Sequence, residues 1–408
     1  MRNSFIYKTI FGALLTTSLL CTCKDNIRNG GIMQITKDDV VHLDGTFEDH
    51  FMKNWEYILL DESADALLGT INDAIRYDDG LFFIHSDMDK ASTIKVFDRY
   101  GHYLNDIGRI GRARNEYISL DSWNLDTHRN EVLIVNGDGY DGKATIKRFD
   151  YKGKYLGQID IDSIGKEYVT VNGFAKCYSD GSLLMKDYMH SFPTYDYFIL
   201  HKDGSVSPLF EMSEYHQMHA PVDPVLVLQQ GGFKNENMNW GYEIISGVFN
   251  LHSDTTYLTR ALDNHIYRIC GDSAECMVEL SFIPNPPEKF KNGLVLEEDT
   301  DPYSTFYFAD MKDYLRVGYK DGMYLFDKST SKLYHTDHDA INTSFPDTRI
   351  LSVSDNDLIG FVDDFFISDA LELMDSPDYD HRYTPEVEAF YRKAKNCENP
   401  PIVIAHYK

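Results

Sequence analysis

"TIKVFDRYGHYLNDIG" (Thr93–Gly108) and "TIKRFDYKGKYLGQID" (Thr145–Asp160) are two copies of one pattern, 52 positions apart. Thr93/Thr145, Ile94/Ile146, Phe97/Phe149, Asp98/Asp150, Gly101/Gly153, Tyr103/Tyr155, Leu104/Leu156 and Ile107/Ile159 correspond. An apolar run, a glycine and a second apolar run describe a strand, a tight turn and a returning strand. A period of this size marks a repeat architecture that local propensity alone would miss.

Weaker copies continue the series. "YFILHKDGSV" (Tyr197–Val206) puts Gly204 in the turn, and "NHIYRICGDSAECMVEL" (Asn264–Leu280) and "GMYLFDKSTSKLYHTD" (Gly322–Asp337) are looser versions. "PIVIAHYK" (Pro401–Lys408) is a terminal strand without a returning partner. Between them lie further strand-like runs: "GLFFIHS" (Gly80–Ser86), "EVLIVNG" (Glu131–Gly137), "GSLLMKD" (Gly181–Asp187) and "DDFFISD" (Asp363–Asp369). Four strands per unit, repeated radially, predict an all-β fold: a six-bladed β-propeller with four-stranded blades. "WEYILLDE" (Trp55–Glu62) is expected to supply the strand missing from the last blade, so that no sheet edge stays open. "DALELMDSP" (Asp369–Pro377) and "TPEVEAFYRKAKNCEN" (Thr384–Asn399) have helical spacing, with Thr384-Pro385 as cap and first-turn pair. They predict a small helical insertion over about 366–399.

Composition narrows the class of partner. Sixty-five acidic residues against thirty-nine basic ones give a formal net charge of −26, which argues against nucleic acid, because phosphate binding needs a basic face. The start, "MRNSFIYKTIFGALLTTSLLCTCKDN", carries Arg2 and Lys8 before an apolar run from Ile10 to Leu20. That is the pattern of an export signal, and the run is short for a membrane-spanning helix. Leu20-Cys21-Thr22-Cys23 resembles a bacterial lipobox with Cys23 as the lipidated residue, an ordinary signal peptide being the alternative. The expected organisation is a lipoprotein signal peptide over 1–22, a lipidated flexible tether over 23–50 and the propeller over 51–408. Acyl chains would then hold a monomer to the outer membrane. Cys270 and Cys276 could bridge a hairpin in an exported protein, the alternative being two separate thiols; Cys177 and Cys397 have no evident partner.

"DIGRIGRARNEY" (Asp106–Tyr117) places Arg109, Arg112 and Arg114 after the first hairpin, and "SIGKEY" ends in the same Glu-Tyr pair after the second. A phosphate loop is disfavoured, since no Gly-Lys-Ser/Thr follows. The stretch reads as the crossing from one blade to the next. "VFDRYGHYLNDIGRIGRARNEY", with "LLDESADALLGTI", "LDNHIYRI" and "ENPPIVIAHYK", resembles the six-bladed propeller lipoproteins of gut-type Bacteroidetes, which are related to NHL-repeat propellers. Where that family carries Gly-Pro-Gly before the Glu-Tyr, this chain has Ala113-Arg114-Asn115. The resemblance implies the fold over Trp55–Lys408 and no established activity.

Candidate chemistry is sparse. Arg109, Arg112 and Arg114 suit carboxylates or anionic sugars, the plainer reading being solvated loop charges. Trp123 and Trp240 could stack on sugar rings, although aromatic residues at strand positions more often fill the core. His216/His219 and His335/Asp337/His338/Asp339 have spacings that could seat a metal, but neither set sits on a helical pattern or with a further identified ligand, so they read as turn and loop residues, and "NGDGYDG" (Asn136–Gly142) is explained by turn chemistry. No metal or other cofactor is therefore expected. The sequence points first to a binding or interaction module for a glycan or protein partner at the cell envelope. The alternative is a lyase or hydrolase with its site, conceivably metal-dependent, at the central channel.

Overall fold

The computed structural model describes residues 32–88, 91–120, 122–136, 145–160, 173–186, 197–210, 246–260, 264–283, 307–319, 322–337 and 343–408. Among them are six β-sheets. In chain order the first sheet holds the strands between Thr70 and Ile107, the second those between Trp123 and Asp160, and the third those between Gly173 and Pro208. Each of these is a four-stranded antiparallel meander of consecutive strands. The fold is an all-β propeller with four-stranded blades and few helices.

The repeat is a repeat in three dimensions. In the first two sheets the outermost hairpins share one register shift, placing Phe97 opposite Tyr103 and Phe149 opposite Tyr155. Asp98 and Asp150 each accept two backbone N–H bonds from the turn, from Tyr100 and His102 and from Lys152 and Lys154, at 2.8–3.0 Å. Gly101, Gly153 and Gly204 take φ of +86°, +80° and +86°, which costs glycine little and a residue with a Cβ much more. Close approach adds a second demand: a Cβ on Gly101 would lie 2.1 Å from the Leu59 carbonyl oxygen, and one on Gly153 2.4 Å from that of Asp106. The first two repeated turns thus rest against the chain at the outer strand of the preceding sheet.

The remaining sheets borrow strands. The fourth consists of Thr255–Leu258, His265–Cys270 and Ser273–Leu280, and Met33–Ile35 adds in parallel to its outer edge. The sixth combines Arg349–Ser354, Asp357–Phe361 and Ile402–Tyr407 with Met52–Ile58, which pairs antiparallel to the C-terminal strand. The fifth has six strands, because Tyr307–Asp310 to Lys332–Thr336 gain Ser246–Phe249 on the inner edge and Val40–His42 on the outer edge, both parallel. The expected six-bladed propeller is therefore corrected to five four-stranded blades; the fifth sheet, with six strands, departs from that pattern. Gly247 permits this, since the Phe308 ring lies where a Cβ would be, 2.3 Å away.

Two further expectations change. Residues 33–50 of the tether expected over 23–50 are part of the fold, because from Met33 onward the chain forms strands on the fourth and fifth sheets and helix α1 (Phe47–Phe51), with Ile35 and Phe47 buried. "DDFFISD" is not a strand: Asp363 is the N-cap of helix α2 (Asp364–Met374), whose Ile367, Ala370 and Met374 are buried at helical spacing. Helix α3 (Pro385–Ala394) begins as its sequence predicts, with Pro385 in the first turn and the Thr384 hydroxyl accepting from the Val387 N–H. The insertion packs Val387, Phe390 and Tyr391 onto Trp55 and Val403 of the sixth sheet.

Candidate functional site

The crossing loop after the first sheet is tied down from within. The Glu116 carboxylate accepts from Arg109 Nε at 2.7 Å and from the Ala113 N–H at 2.8 Å, and these bonds hold its pKa below the usual range. Tyr117 is fully buried and donates to the carbonyl of Ser92 or Ile107. Burial pushes its phenol up, so it is a neutral anchor. Gly111 leaves room for the Glu116 carboxylate, which would sit 2.0 Å from an added Cβ. Arg114 lies over the Tyr155 ring at 5.9 Å. The three arginines therefore do not converge on one point: Arg109 is paired, Arg114 stacks on the next sheet, and Arg112 is exposed between them.

A residue type not singled out from the sequence holds this loop. Lys147 is buried, and its ammonium donates to the carbonyls of Glu116 and of Arg114, the latter at 3.0 Å. Its repeat partner Lys95, also buried, donates to the Asp65 carbonyl at 2.6 Å in the connection entering the first sheet. Identity of the two lysines within "TIK" was the available signal. A charge retained at a strand position twice over marks a required contact.

The inner strands are tied together by polar contacts. Arg76 donates from Nε to Asn124 Oδ1 at 3.2 Å and from Nη1 to the carbonyls of Ile75 and Leu351 at 2.8 and 3.4 Å. Asn124 donates in turn to the carbonyls of Phe174 and Ala175, linking the first, second, third and sixth sheets. Arg76 also lines a cavity of about 50 Å³, together with residues that include Phe174, Gly247, Phe249, Leu251 and Leu351. Trp123, one of the two candidate sugar platforms, is 4% exposed with Arg76 5.5 Å above its ring. It is a core residue here, and stacking on a ligand is corrected accordingly.

The fold holds two other buried polar clusters. Glu48 of α1 accepts from Arg316 Nη1 at 2.6 Å and from the Tyr407 hydroxyl at 2.9 Å, joining the N-terminal segment to the fifth and sixth sheets. Burial opposes ionisation of Glu48, but the Arg316 charge and these hydrogen bonds outweigh it and hold the carboxyl below its ordinary value. A recess of about 180 Å³ opens beside the pair, lined also by Asp337, Asp347 and Thr348. Lys176 is fully buried at the seam of the third and fourth sheets, 3.3 Å from Thr256 Oγ1, and desolvation lowers its pKa to about 8.

The other sequence candidates fall as follows. Cys270 and Cys276 are free thiols: Cys270 stands opposite Ser273 and Cys276 opposite Tyr267, so the hairpin register keeps them apart and the bridge is corrected. His335 is 4.0 Å from Asp337 and 3.0 Å, Nδ1 to Nδ1, from His42. Among the described residues no three His, Cys, Asp or Glu side chains gather as a metal site would require. Cys23, Trp240, His216, His219, His338, Asp339 and Gly137–Gly142 lie outside the described residues.

Comparison with known proteins adds the family. The chain is similar to a presumptive exported protein of Bacteroides fragilis, at 14% identity over 93% of this chain and 100% of that one, with a TM-score of 0.61. At that identity the likeness shows the fold alone. A Bacteroides caccae protein of unknown function covers 70% of this chain and 82% of its own at 10% identity and a TM-score of 0.34. No curated protein matches. The profile of the domain of unknown function DUF4934 matches residues 40–406, a span that reaches every strand but Met33–Ile35, and the chain belongs to that family.

Proposed function

We propose that the protein is an exported, lipid-anchored propeller which serves as a ligand-binding or protein-interaction module at the cell envelope. The observation that carries this reading is the set of hydrogen bonds that ties the inner strands of four sheets together. Ser246–Phe249 occupies the inner edge of the fifth sheet, and Arg76 and Asn124 donate to structural acceptors. Buried polar groups so engaged stabilise a scaffold, whereas a reacting centre needs groups free to meet a substrate. Binding is then the work of the loops and the rim, with a glycan or a protein as partner. Pairing of Met52–Ile58 with Ile402–Tyr407 supports a ring closed by the two ends of the chain.

The lipid anchor rests on Cys23 in its lipobox-like context. The test is expression of the full chain and of Cys23→Ala in a Gram-negative host with radiolabelled palmitate. Label and membrane fractionation in the first and neither in the second support the reading; label in both, or a soluble protein in both, sinks the anchor. Unfolding of residues 24–408 with envelope glycans checks the ligand, since saturation at a hundredfold excess over Kd adds about 2.7 kcal/mol.

A further inference from the structure

We infer that the rim of the first two sheets is the docking surface for an acidic, leucine-containing segment of a partner protein. This names the partner class for the interaction module and rests on that reading. Nine Lys and Arg stand against five Asp and Glu in residues 93–118 and 145–160, a net +4 in a chain of −26. The exposed charges are more one-sided still: Arg99, Arg109, Arg112, Arg114, Lys152 and Lys154 are exposed, and of the described acidic side chains in these stretches only Asp106 is.

Apolar exposure coincides with that charge. Of nine exposed large hydrophobic residues among those described, six lie here: Tyr100, Leu104, Ile110, Ile118, Leu156 and Ile159. Leu104 and Leu156 hold the same place in the repeat and are 49% and 42% exposed. A leucine kept twice on a solvent-facing strand position serves no packing purpose within its own sheet. The surface is continuous, for Asn105 Nδ2 donates to the Tyr151 carbonyl at 3.4 Å and Arg114 covers Tyr155, the neighbour of Leu156. Basic residues around exposed aliphatic anchors match a partner with carboxylates around leucines, and charge of this sign raises the encounter rate.

Topology favours a protein over the membrane as the occupant. Met33–Ile35 lies on the fourth sheet, two and three sheets along the chain from this rim. An anchored molecule held from the fourth sheet leaves the rim of the first two free for a partner.

The test uses mature protein, residues 24–408, and a fluorescein-labelled dodecapeptide of alternating Asp and Leu, with polyglutamate as the charge-only probe. Fluorescence anisotropy should show the Asp/Leu peptide binding more tightly than polyglutamate and losing affinity as salt rises. Leu104→Glu/Leu156→Glu and Arg112→Glu/Arg114→Glu should each weaken it tenfold or more. Phe365→Glu, an exposed residue on α2, should not change it. All these sites are exposed, so unfolding midpoints serve as the check on integrity. No peptide binding, or tighter binding to phosphatidylglycerol vesicles, overturns the inference, as does self-association abolished by the same variants. Peptide binding that survives both double variants overturns this surface while leaving the interaction module in place; turnover of a glycan or peptide by the wild-type chain overturns the module itself.

Discussion

The first two sheets and the last two solve the same edge problem differently. Thr70–Asp160 is self-sufficient: consecutive strands, one turn type, and a glycine that seats each turn against the preceding sheet. The fifth and sixth sheets are patched with strands from elsewhere, Val40–His42 and Ser246–Phe249 on one and Met52–Ile58 on the other. Where the repeat is strict, local contacts suffice to specify the sheet. Where it decays, stability moves into contacts between residues hundreds of positions apart, and the N-terminal segment becomes a strap across three sheets. Such non-local contacts carry a larger closure entropy and form late in folding.

Removing the strap should give the largest effect. A chain starting at Leu59 loses buried Trp55 and Ile58 and bares the edge of Ile402–Tyr407. It should lose cooperative thermal unfolding and aggregate. A chain starting at Val40 keeps the closing strand and should still unfold cooperatively, at a lower midpoint. If the two truncations behave alike in calorimetry, the strap is not what completes the later sheets.

Breaking the ion pair that fastens the strap comes next. Glu48→Gln leaves Arg316 charged and buried, which should cost about 3–5 kcal/mol in urea unfolding. The folded-state pKa of Glu48 is lowered, so its contribution is present above the unfolded value near 4.5 and is lost as pH falls through the folded one. Wild type should therefore lose stability on acidification more steeply than Glu48→Gln. Equal slopes would mean that the pair does not titrate with folding.

How much of this was legible follows the same division. The hairpins of the first two sheets could be read from Thr93–Gly108 and Thr145–Asp160, because every informative contact is local. The borrowed strands could not: Met33–Ile35 meets Val278–Leu280, and three residues of ordinary strand propensity carry no signal of a partner 245 positions away. "DDFFISD" was ambiguous because Phe-Phe-Ile fits a strand or a buried helix face, and the continuing apolar spacing to Met374 decides for helix. At the candidate site, Lys95 and Lys147 were visible in the repeat, whereas Glu48 and Arg316, 268 residues apart, become a pair only in the fold.

Glycine substitutions sharpen the contrast on a smaller scale. Gly101→Ala meets both a positive φ and the Leu59 carbonyl, and should cost roughly 2–3 kcal/mol. Gly271, in the hairpin of the fourth sheet, has φ +60° but nothing within 4 Å of an added Cβ, so its alanine variant should cost only about 1 kcal/mol. Equal losses in chemical denaturation would show that the seating of the turn on the preceding sheet adds nothing to its conformation.

The seam between the two regimes offers the smallest effect. Lys176 stands on the third sheet, the last of the self-sufficient ones, and reaches Thr256 on the fourth. Its ammonium is buried with a hydroxyl and the Tyr178 ring as company, and its pKa falls from 10.5 to about 8. The folded state therefore binds this proton less tightly than the unfolded chain, and stability should rise with pH between about 8 and 10.5, not fall. Lys176→Met removes the charge while keeping the aliphatic stem, and should stabilise the protein by roughly 1–2 kcal/mol at pH 7 while flattening that rise. A variant less stable than wild type, with the alkaline rise intact, would mean that the ammonium is a structural tie between the third and fourth sheets, and that the seam is held by the same kind of lysine contact that Lys95 and Lys147 make within the strict repeat.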